Sequence, residues 1–217
     1  MEPPSYPVYP IFLELAGRLC VVVGGGPFAE EKARGLLAAG AVVTVIAPEV
    51  APGLAGLAAA GRLEHRARGF QAADLDGACL AFLCAQPPEV VAAVRHEARR
   101  RGVLVNTVDD PPHCDFIMPS VVRRGDLAIA VSTHGKAPAL AVRLRERLER
   151  EIGDEHALFL RWAGSVRGEL AAQRPDFAER REAWYRLVDS DVLALLRAGD
   201  EAGAARRFAE ILGVEPA

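Results

Sequence analysis

The chain of 217 residues lacks several features that would place it in a membrane or on nucleic acid. No apolar run approaches the roughly 20 residues that a membrane-spanning helix needs. Residues 1–7 contain neither a basic segment nor an apolar segment of the kind found in export signals. The net charge of −3 gives no electrostatic reason to expect nucleic acid or acidic lipid as a partner. These absences predict a cytoplasmic protein without a membrane or nucleic-acid partner.

The sequence also lacks the C-x-x-C spacing of metal and redox sites. Three of its four cysteines, Cys20, Cys79 and Cys84, lie in or beside apolar runs that indicate core strands. We therefore expect thiols in the protein core rather than disulfides or metal ligands, which suits a reducing compartment.

Lysine is scarce. Among 26 basic residues only Lys32 and Lys136 are lysines, and the others are arginines. Because a guanidinium binds a carboxylate through two parallel hydrogen bonds, a ligand rich in carboxylates would favour this bias. A GC-rich genome would produce the same bias in every protein that it encodes, and this simpler explanation is favoured.

A strand–turn–helix pattern lies close to the N-terminus. The β-rich apolar run 19–23 is followed by three glycines and then by a helical pattern. Gly24, Gly26 and Ala29 satisfy the G-x-G-x-x-G/A spacing of dinucleotide sites. The first glycine permits the turn, the second lets the backbone approach a pyrophosphate, and the third position packs on the strand. A tight turn without a ligand is the alternative. The expected cofactor contacts are Gly24, Gly25, Gly26, Pro27, Phe28 and Ala29.

Apolar strands alternate with helical segments as far as residue 108. Strands are predicted at 19–23, 41–46, 63–66, 79–84 and 103–108, with later helices at 52–60 and 89–101. This alternation predicts an α/β fold with a Rossmann-like, doubly wound parallel sheet. Since ligands bind beyond the carboxyl ends of such strands, Pro48, Glu49 and Gln86 join the cofactor candidates.

The pattern changes after residue 113. Apolar runs at 116–122 and 127–132 flank a polar turn and predict a small antiparallel hairpin. From residue 138 the sequence is almost entirely helical, with Ser190 or Asp191 as the expected N-cap of the last helix. The predicted helices are 138–151, 155–173, 177–188 and 191–212. We therefore predict three parts, comprising residues 1–113, 114–150 and 151–217.

Four segments together resemble one family over nearly the full length. They are 9–15, 23–34, 106–110, and 114–120 running on to 130–138. The chain is similar to precorrin-2 dehydrogenases, the dehydrogenase/ferrochelatase module of sirohaem synthase, in their free-standing form. The Asp-Phe-Ile-Met-Pro-Ser and Ser-Thr-x-Gly-x-x-Pro motifs are more specific than the glycine loop, because generic Rossmann dehydrogenases do not carry them.

The resemblance implies that NAD⁺ removes a hydride from precorrin-2 to give sirohydrochlorin. In some members the same cleft also inserts Fe²⁺ into sirohydrochlorin. It further implies a homodimer in which 1–113 binds NAD, 114–150 forms the dimer interface, and the helices of 151–217 help to wall the substrate cleft. The implied cleft candidates are Ser120, Ser132, Thr133, His134, Gly135 and Lys136.

Asp109 matches the aspartate that this family is thought to use as a general acid/base. A carboxylate near the macrocycle suits the reaction, because a proton is lost along with the hydride. Asp109 or Asp110 could instead cap the turn before Pro111. Asp110 fits the motif less well, so Asp109 is the catalytic candidate.

Other residues leave alternatives open. Thr133 stands where some members have serine, and His134 where glycine is common; this imidazole could handle protons, meet a metal or simply face solvent. A ribose-binding acid is expected directly after the second strand, and Glu49 falls slightly late, so NAD rather than NADP follows mainly from the resemblance. Arg123, Arg124 and Lys136 lie nearest the motifs that would meet the carboxylates of the macrocycle.

His113 and Cys114 would point to opposite faces of an extended chain, and no further ligands follow at metal spacing. We therefore expect no metal held by the protein alone. Two other functions stay open, a non-catalytic module that senses NAD(H) and a chelatase without dehydrogenase activity. Neither a basic recognition helix nor a helix-turn-helix pattern supports the first, and the intact glycine loop argues against the second.

Overall fold

The computed structural model describes residues 8–217, so residues 1–7, where no export signal was expected, lie outside the described part. The described chain divides into two units, the first ending at Ile117 and the second running from Met118 to Ala217. Each unit is described by itself. The division into three parts at residues 113 and 150 stays a prediction. No helix within 8–217 is long and apolar enough to cross a membrane.

The first unit contains a five-stranded parallel sheet in the order β3-β2-β1-β4-β5. The strands are β1 (Leu19–Val23), β2 (Val42–Ile46), β3 (Glu64–Arg66), β4 (Ala78–Leu83) and β5 (Leu104–Thr107). Its helices are α1 (Pro27–Ala38), α2 (Pro52–Ala59) and α3 (Pro88–Arg101), with short 3₁₀ turns at Ala72–Leu75 and Pro111–His113. The predicted doubly wound sheet is confirmed. Because the chain leaves β1 on one side and returns at β4 on the other, the topological switch point lies between β1 and β4.

Apolar side chains cover both faces of this sheet. On one face Cys20 and Val22 of β1 pack near Ala29, Ala33 and other buried residues of α1 and α2. On the opposite face the alternate β1 side chains, Val21 and Val23, belong to a second cluster with residues of α3. Ala29 is fully buried, so the small third residue of the glycine motif does let α1 lie close to the sheet.

The buried carboxylate of Asp74 fixes the segment between β3 and β4. Asp74 Oδ1 lies 2.7 Å from Nη1 of Arg66 and 2.6 Å from Nη2 of Arg68. The backbone N–H of Gln71 also donates to this carboxylate, at 2.8 Å. Burial favours the neutral acid, but the hydrogen bonds from Arg68, Gln71 and Arg66 outweigh it and lower the pKa of Asp74 to about 2.

The four cysteines are free. Cys20 and Cys84 are buried as expected, whereas Cys79 and Cys114 are only partly buried. Cys20 and Cys79 lie on adjacent strands with their sulfurs 3.7 Å apart. Burial raises the pKa of Cys20 to about 12, which keeps this sulfur a thiol at neutral pH.

The second unit begins with an antiparallel hairpin of β6 (Ser120–Arg124) and β7 (Leu127–Val131), joined by Gly125 and Asp126. Five helices follow, α4 (Pro138–Glu151), α5 (Glu155–Gln173), α6 (Phe177–Val188), α7 (Val192–Arg197) and α8 (Glu201–Leu212). Phe208 of α8 is fully buried and packs edge-on against Phe159 and Trp162 of α5. This aromatic cluster forms the centre of a helical core separate from that of the first unit.

The single helix predicted at 191–212 is wrong, because the structure has two helices there. Gly199 adopts a left-handed conformation (φ +80°) that ends α7. Asp200 then caps α8 by accepting the N–H of Gly203 at 2.8 Å. At the start of α7, Asp191 occupies the N-cap position, but it is the hydroxyl of Ser190 that accepts the N–H of Val192, at 3.3 Å.

Candidate cofactor and active site

The ends of the central strands are joined to one another by backbone hydrogen bonds. The N–H of Gly24 donates to the carbonyl of Ile46, and the N–H of Cys84 donates to that of Val23, both at 2.9 Å. Val108 N–H donates to Leu83 in the same way, also at 2.9 Å. The segments that follow β1, β4 and β5 therefore start side by side at one edge of the sheet, as the sequence pattern predicts.

Two positions in the loop after β1 require glycine, because other backbone segments lie too close to them for a side chain to fit. Gly24 has a φ of +129°, and a Cβ there would collide with the carbonyl oxygen of Cys84. A Cβ at Gly25 would collide with the carbonyl oxygen of Glu49. Any side chain at either position would displace the loop from the sheet edge.

Gly26 differs from both, because a Cβ there would have no described heavy atom within 4 Å. It is the N-cap residue of α1, and no side chain in residues 8–217 caps this helix. Pro27 has no N–H, so the N–H groups of Phe28 and Ala29 are the free donors of the first turn. An anion approaching this helix end would meet free N–H groups and the positive end of the helix dipole. These residues fit the pyrophosphate of a dinucleotide.

The other cofactor candidates lie around this loop. Pro48 and Glu49 are exposed in the segment after β2, and the main chain of Glu49 packs on Gly25. The side-chain amide of Gln86 donates to the carbonyl of Cys84 at 2.9 Å, next to Gly24. The structure thus places the main chain of Glu49 and the side-chain amide of Gln86 at the glycine loop. Contact of Pro48, Glu49 and Gln86 with a cofactor stays a prediction.

Asp109 and Asp110 follow β5 in different surroundings. Asp110 is partly buried, and its carboxylate lies 2.6 Å from Nδ1 of His113. Asp109 is exposed, and no hydrogen bond or ion pair engages its carboxylate within residues 8–217. Its backbone is left-handed (φ +61°), which is uncommon for any residue other than glycine. The paired side chain is therefore that of Asp110, and that of Asp109 is available to a ligand.

The turn that presents Asp109 is fastened by its neighbours. Cys114 Sγ accepts the N–H of Thr107 at 3.3 Å, and the Thr107 hydroxyl donates to the carbonyl of His113 at 3.1 Å. Asn106 Nδ2 donates to the carbonyl of Phe116 at 2.8 Å. Burial raises the pKa of the Cys114 thiol, which remains protonated and can serve in this network.

The extended conformation expected for His113 and Cys114 is wrong at His113, which ends a 3₁₀ turn. The two side chains still have different neighbours, because the imidazole faces Asp110 and the thiol faces Thr107. In the described part of the chain, no three His, Cys, Asp or Glu side chains are grouped so that they could hold a metal ion.

The remaining cleft candidates belong to the second unit. Ser120 begins β6, and the segment 132–136 connects β7 to α4. Ser132 Oγ accepts the N–H of His134 at 3.2 Å, and Thr133 Oγ1 accepts the N–H of Ala137 at 3.3 Å. These hydroxyls organise the connection. His134, Gly135 and Lys136 are exposed, and both His134 (φ +54°) and Gly135 (φ +72°) are left-handed.

Arg124, one of the three basic residues expected near the substrate, has a structural role instead. Its Nη2 donates to the carbonyl of Glu149 at 3.0 Å near the end of α4, and its Nε lies 3.6 Å from Asp154. A guanidinium held in this way is poorly placed to bind a ligand. Arg123 and Lys136 are exposed on the hairpin and on the loop before α4.

Three family models match consecutive parts of the chain. The first, putative NAD(P)-binding, matches residues 11–120. The second, sirohaem biosynthesis protein central, matches residues 124–151, and the third, sirohaem synthase dimerisation region, matches residues 155–212.

The curated relatives include siroheme synthases of several bacteria. That of Chromobacterium violaceum is 42% identical over 196 residues, which are 90% of this chain and 42% of the relative. Siroheme synthase 3 of Aeromonas hydrophila subsp. hydrophila is 41% identical over 203 residues, 94% of this chain and 43% of the relative. The chain thus spans less than half the length of these relatives.

Among solved structures, SirC, a precorrin-2 dehydrogenase, superimposes with a TM-score of 0.75 at 23% identity. The match covers 94% of this chain and 100% of SirC. The two proteins share their fold, including the parallel sheet, the small hairpin and the terminal helices.

Proposed function

The chain belongs to the sirohaem synthase family whose putative NAD(P)-binding model matches residues 11–120, and from this membership we propose that it dehydrogenates precorrin-2 with NAD⁺. The product is sirohydrochlorin. The activity named for SirC, whose fold the chain shares, supports this proposal.

One observation carries the proposal. The open N-terminus of α1 and the unpaired carboxylate of Asp109 both follow strands whose ends are joined by hydrogen bonds at one sheet edge. A dinucleotide bound at the first of these features would lie at the same edge as the second. This edge is also where ligands bind in open α/β sheets.

The chemistry needs two acceptors. NAD⁺, when bound, supplies the acceptor for a hydride that leaves one carbon of precorrin-2. A proton leaves a second position, and Asp109 is the side chain that accepts it. Because no described residue engages its carboxylate, Asp109 has no bond to break before it takes this proton. The turn fastened by Thr107 and Cys114 holds the carboxylate at the sheet edge.

The working form is a homodimer. Residues 155–212 match the sirohaem synthase dimerisation region, which lies C-terminal to the interface expected at 114–150. Apolar side chains on α4, Leu140 at 52% exposure and Val142 at 41%, also favour a contact through the earlier segment.

Anaerobic incubation of the purified chain with precorrin-2 and NAD⁺ tests the proposal. NADH and sirohydrochlorin should appear together in equal amounts, and NADP⁺ should support a slower reaction. A folded chain that binds NAD⁺ without turning over precorrin-2 would instead support the NAD(H)-sensing alternative.

Insertion of Fe²⁺ into sirohydrochlorin is a separate question, since the iron would be a substrate of the same cleft. The rate of sirohaem formation from sirohydrochlorin and Fe²⁺, less the rate without protein, decides it.

A further inference from the structure

A cavity of about 840 Å³ runs along α3 in the first unit. Its apolar part includes Val91 and Ala92 of the helix and Val108, which follows β5. Gln86 and Asp110 also line it, so it begins beside the glycine loop and reaches the residue next to Asp109. Cavities of roughly 300–1,000 Å³ are typical of small-molecule sites.

Basic side chains dominate the polar part of this cavity. Its lining residues include Arg95, His96, Arg99, Arg100 and His113. Asp110 is the one carboxylate among the described residues that line it, and it is already bonded to His113. The cavity therefore favours an anionic ligand.

Two of these arginines are free to bind. Arg95 and Arg99 are separated by one helical turn, so they lie on the same face of α3. Neither has a hydrogen-bond or ion-pair partner in residues 8–217. Arg101 on the same helix behaves differently, since its Nε bonds to Asp76 at 3.0 Å and its Nη1 to Glu97. Helix α3 thus presents two unpaired guanidinium groups to the cavity.

We propose that this cavity binds side-chain carboxylates of the tetrapyrrole, with Arg95 and Arg99 as the residues that bind them. The inference rests on the proposed function, because precorrin-2 is the polycarboxylate that would place an anionic edge beside Asp109. Planar guanidinium groups bind carboxylates through paired hydrogen bonds, which orient a ligand as well as hold it. The apolar wall at Val91 and Val108 would contact the macrocycle itself. The substrate would then be anchored on the first unit, next to the cofactor loop.

The test compares R95Q/R99Q with R101Q in the full chain. The probes are an octacarboxylate porphyrin (uroporphyrin) and a dicarboxylate porphyrin (mesoporphyrin), with binding followed by absorbance or tryptophan fluorescence. We expect the wild type to prefer the octacarboxylate, and R95Q/R99Q to lose about tenfold or more of that affinity, since charge-assisted pairs contribute most of it. Added salt should weaken the wild-type affinity and affect R95Q/R99Q less.

The control R101Q should keep wild-type porphyrin affinity, and NAD⁺ affinity should be unchanged in all variants, which also shows that they are folded. In turnover, R95Q/R99Q should raise KM for precorrin-2 with little change in kcat. Equal losses in R101Q and R95Q/R99Q, or no loss in R95Q/R99Q, would overturn the site. The wild type and the variants could all fail to turn over precorrin-2 while porphyrin affinity still depends on Arg95 and Arg99. That result would refute the proposed reaction but support the polycarboxylate site.

Discussion

Nδ1 of His113 lies 2.6 Å from Oδ2 of Asp110, three residues before it in the turn after β5. This pairing gives the two adjacent acids different surroundings in the structure. The carboxylate of Asp110 is paired within the turn, whereas Asp109 is exposed and has a left-handed backbone conformation.

Asp109→Asn should lower kcat for precorrin-2 by about 100-fold or more, because general acid–base groups typically contribute roughly 10²–10⁴-fold. Asp110→Asn should have a much smaller effect on kcat. Single-turnover assays of NADH formation measure both, and NAD⁺ affinity should be unchanged in each variant. Equal effects of the two substitutions would contradict the assignment.

The loop glycines should respond to alanine in opposite ways. Gly25→Ala should destabilise the fold, because its Cβ meets the carbonyl oxygen of Glu49. Gly26→Ala should fold normally, because its Cβ meets no described atom, but it should lose about tenfold or more of NAD⁺ affinity by filling the space beside the open helix end. Thermal denaturation and calorimetric titration with NAD⁺ measure the two effects. Wild-type NAD⁺ affinity in Gly26→Ala would place the pyrophosphate elsewhere.

Asp74 should make stability depend on pH in acid. Its pKa is lowered to about 2 in the fold, against roughly 4 in an unfolded chain, so its contribution is full above pH 4 and is lost as pH falls towards 2. This contribution is about 2 kcal/mol at neutral pH. Denaturant titrations should therefore show a steeper loss of unfolding free energy between roughly pH 4 and 2 in the wild type than in Asp74→Asn. Parallel curves would contradict this prediction.

His134→Gly should raise the free energy of unfolding by about 1 kcal/mol, because the left-handed conformation costs a non-glycine residue roughly that amount. Gly135→Ala, the matched substitution at the next left-handed position, should lower it. Denaturant unfolding measures both. A loss of stability in His134→Gly would indicate that the imidazole makes a contact that outweighs the backbone strain.

Much of the first unit could be predicted because its signals are local. The apolar strands, the glycine spacing and the rule that parallel strands end at a common edge together place Gly24, Gln86 and Asp109 in neighbouring segments. The family resemblance came from motifs such as 114–120 and 132–138 rather than from periodicity. Nothing in the spacing alone distinguishes Asp109 from Asp110, because the imidazole that pairs with one of them is placed by the turn geometry.

Two other features escaped the sequence for physical reasons. The apolar periodicity of 191–212 continues across Gly199 and Asp200, so it did not predict that one helix ends and another begins there. In the structure the left-handed Gly199 ends the first helix, and the carboxylate of Asp200 caps the second. Arginines spaced four apart on a helix, such as Arg95 and Arg99, have the same sequence pattern as a solvent-exposed helix face. Only the structure shows that these two line a cavity. Conversely, Arg124 lies close to the family motifs, but its guanidinium donates a hydrogen bond to the main-chain carbonyl of Glu149.

Backbone hydrogen bonds join the ends of β1, β2, β4 and β5, so the cofactor loop and the acidic turn are attached to the same sheet. Helix α3 borders that sheet but contributes no strand end to it. The arginines on this helix can therefore be exchanged without changing the strand ends that carry the cofactor loop and Asp109. Such exchanges on α3 could adapt the protein to macrocycles with different acidic substituents.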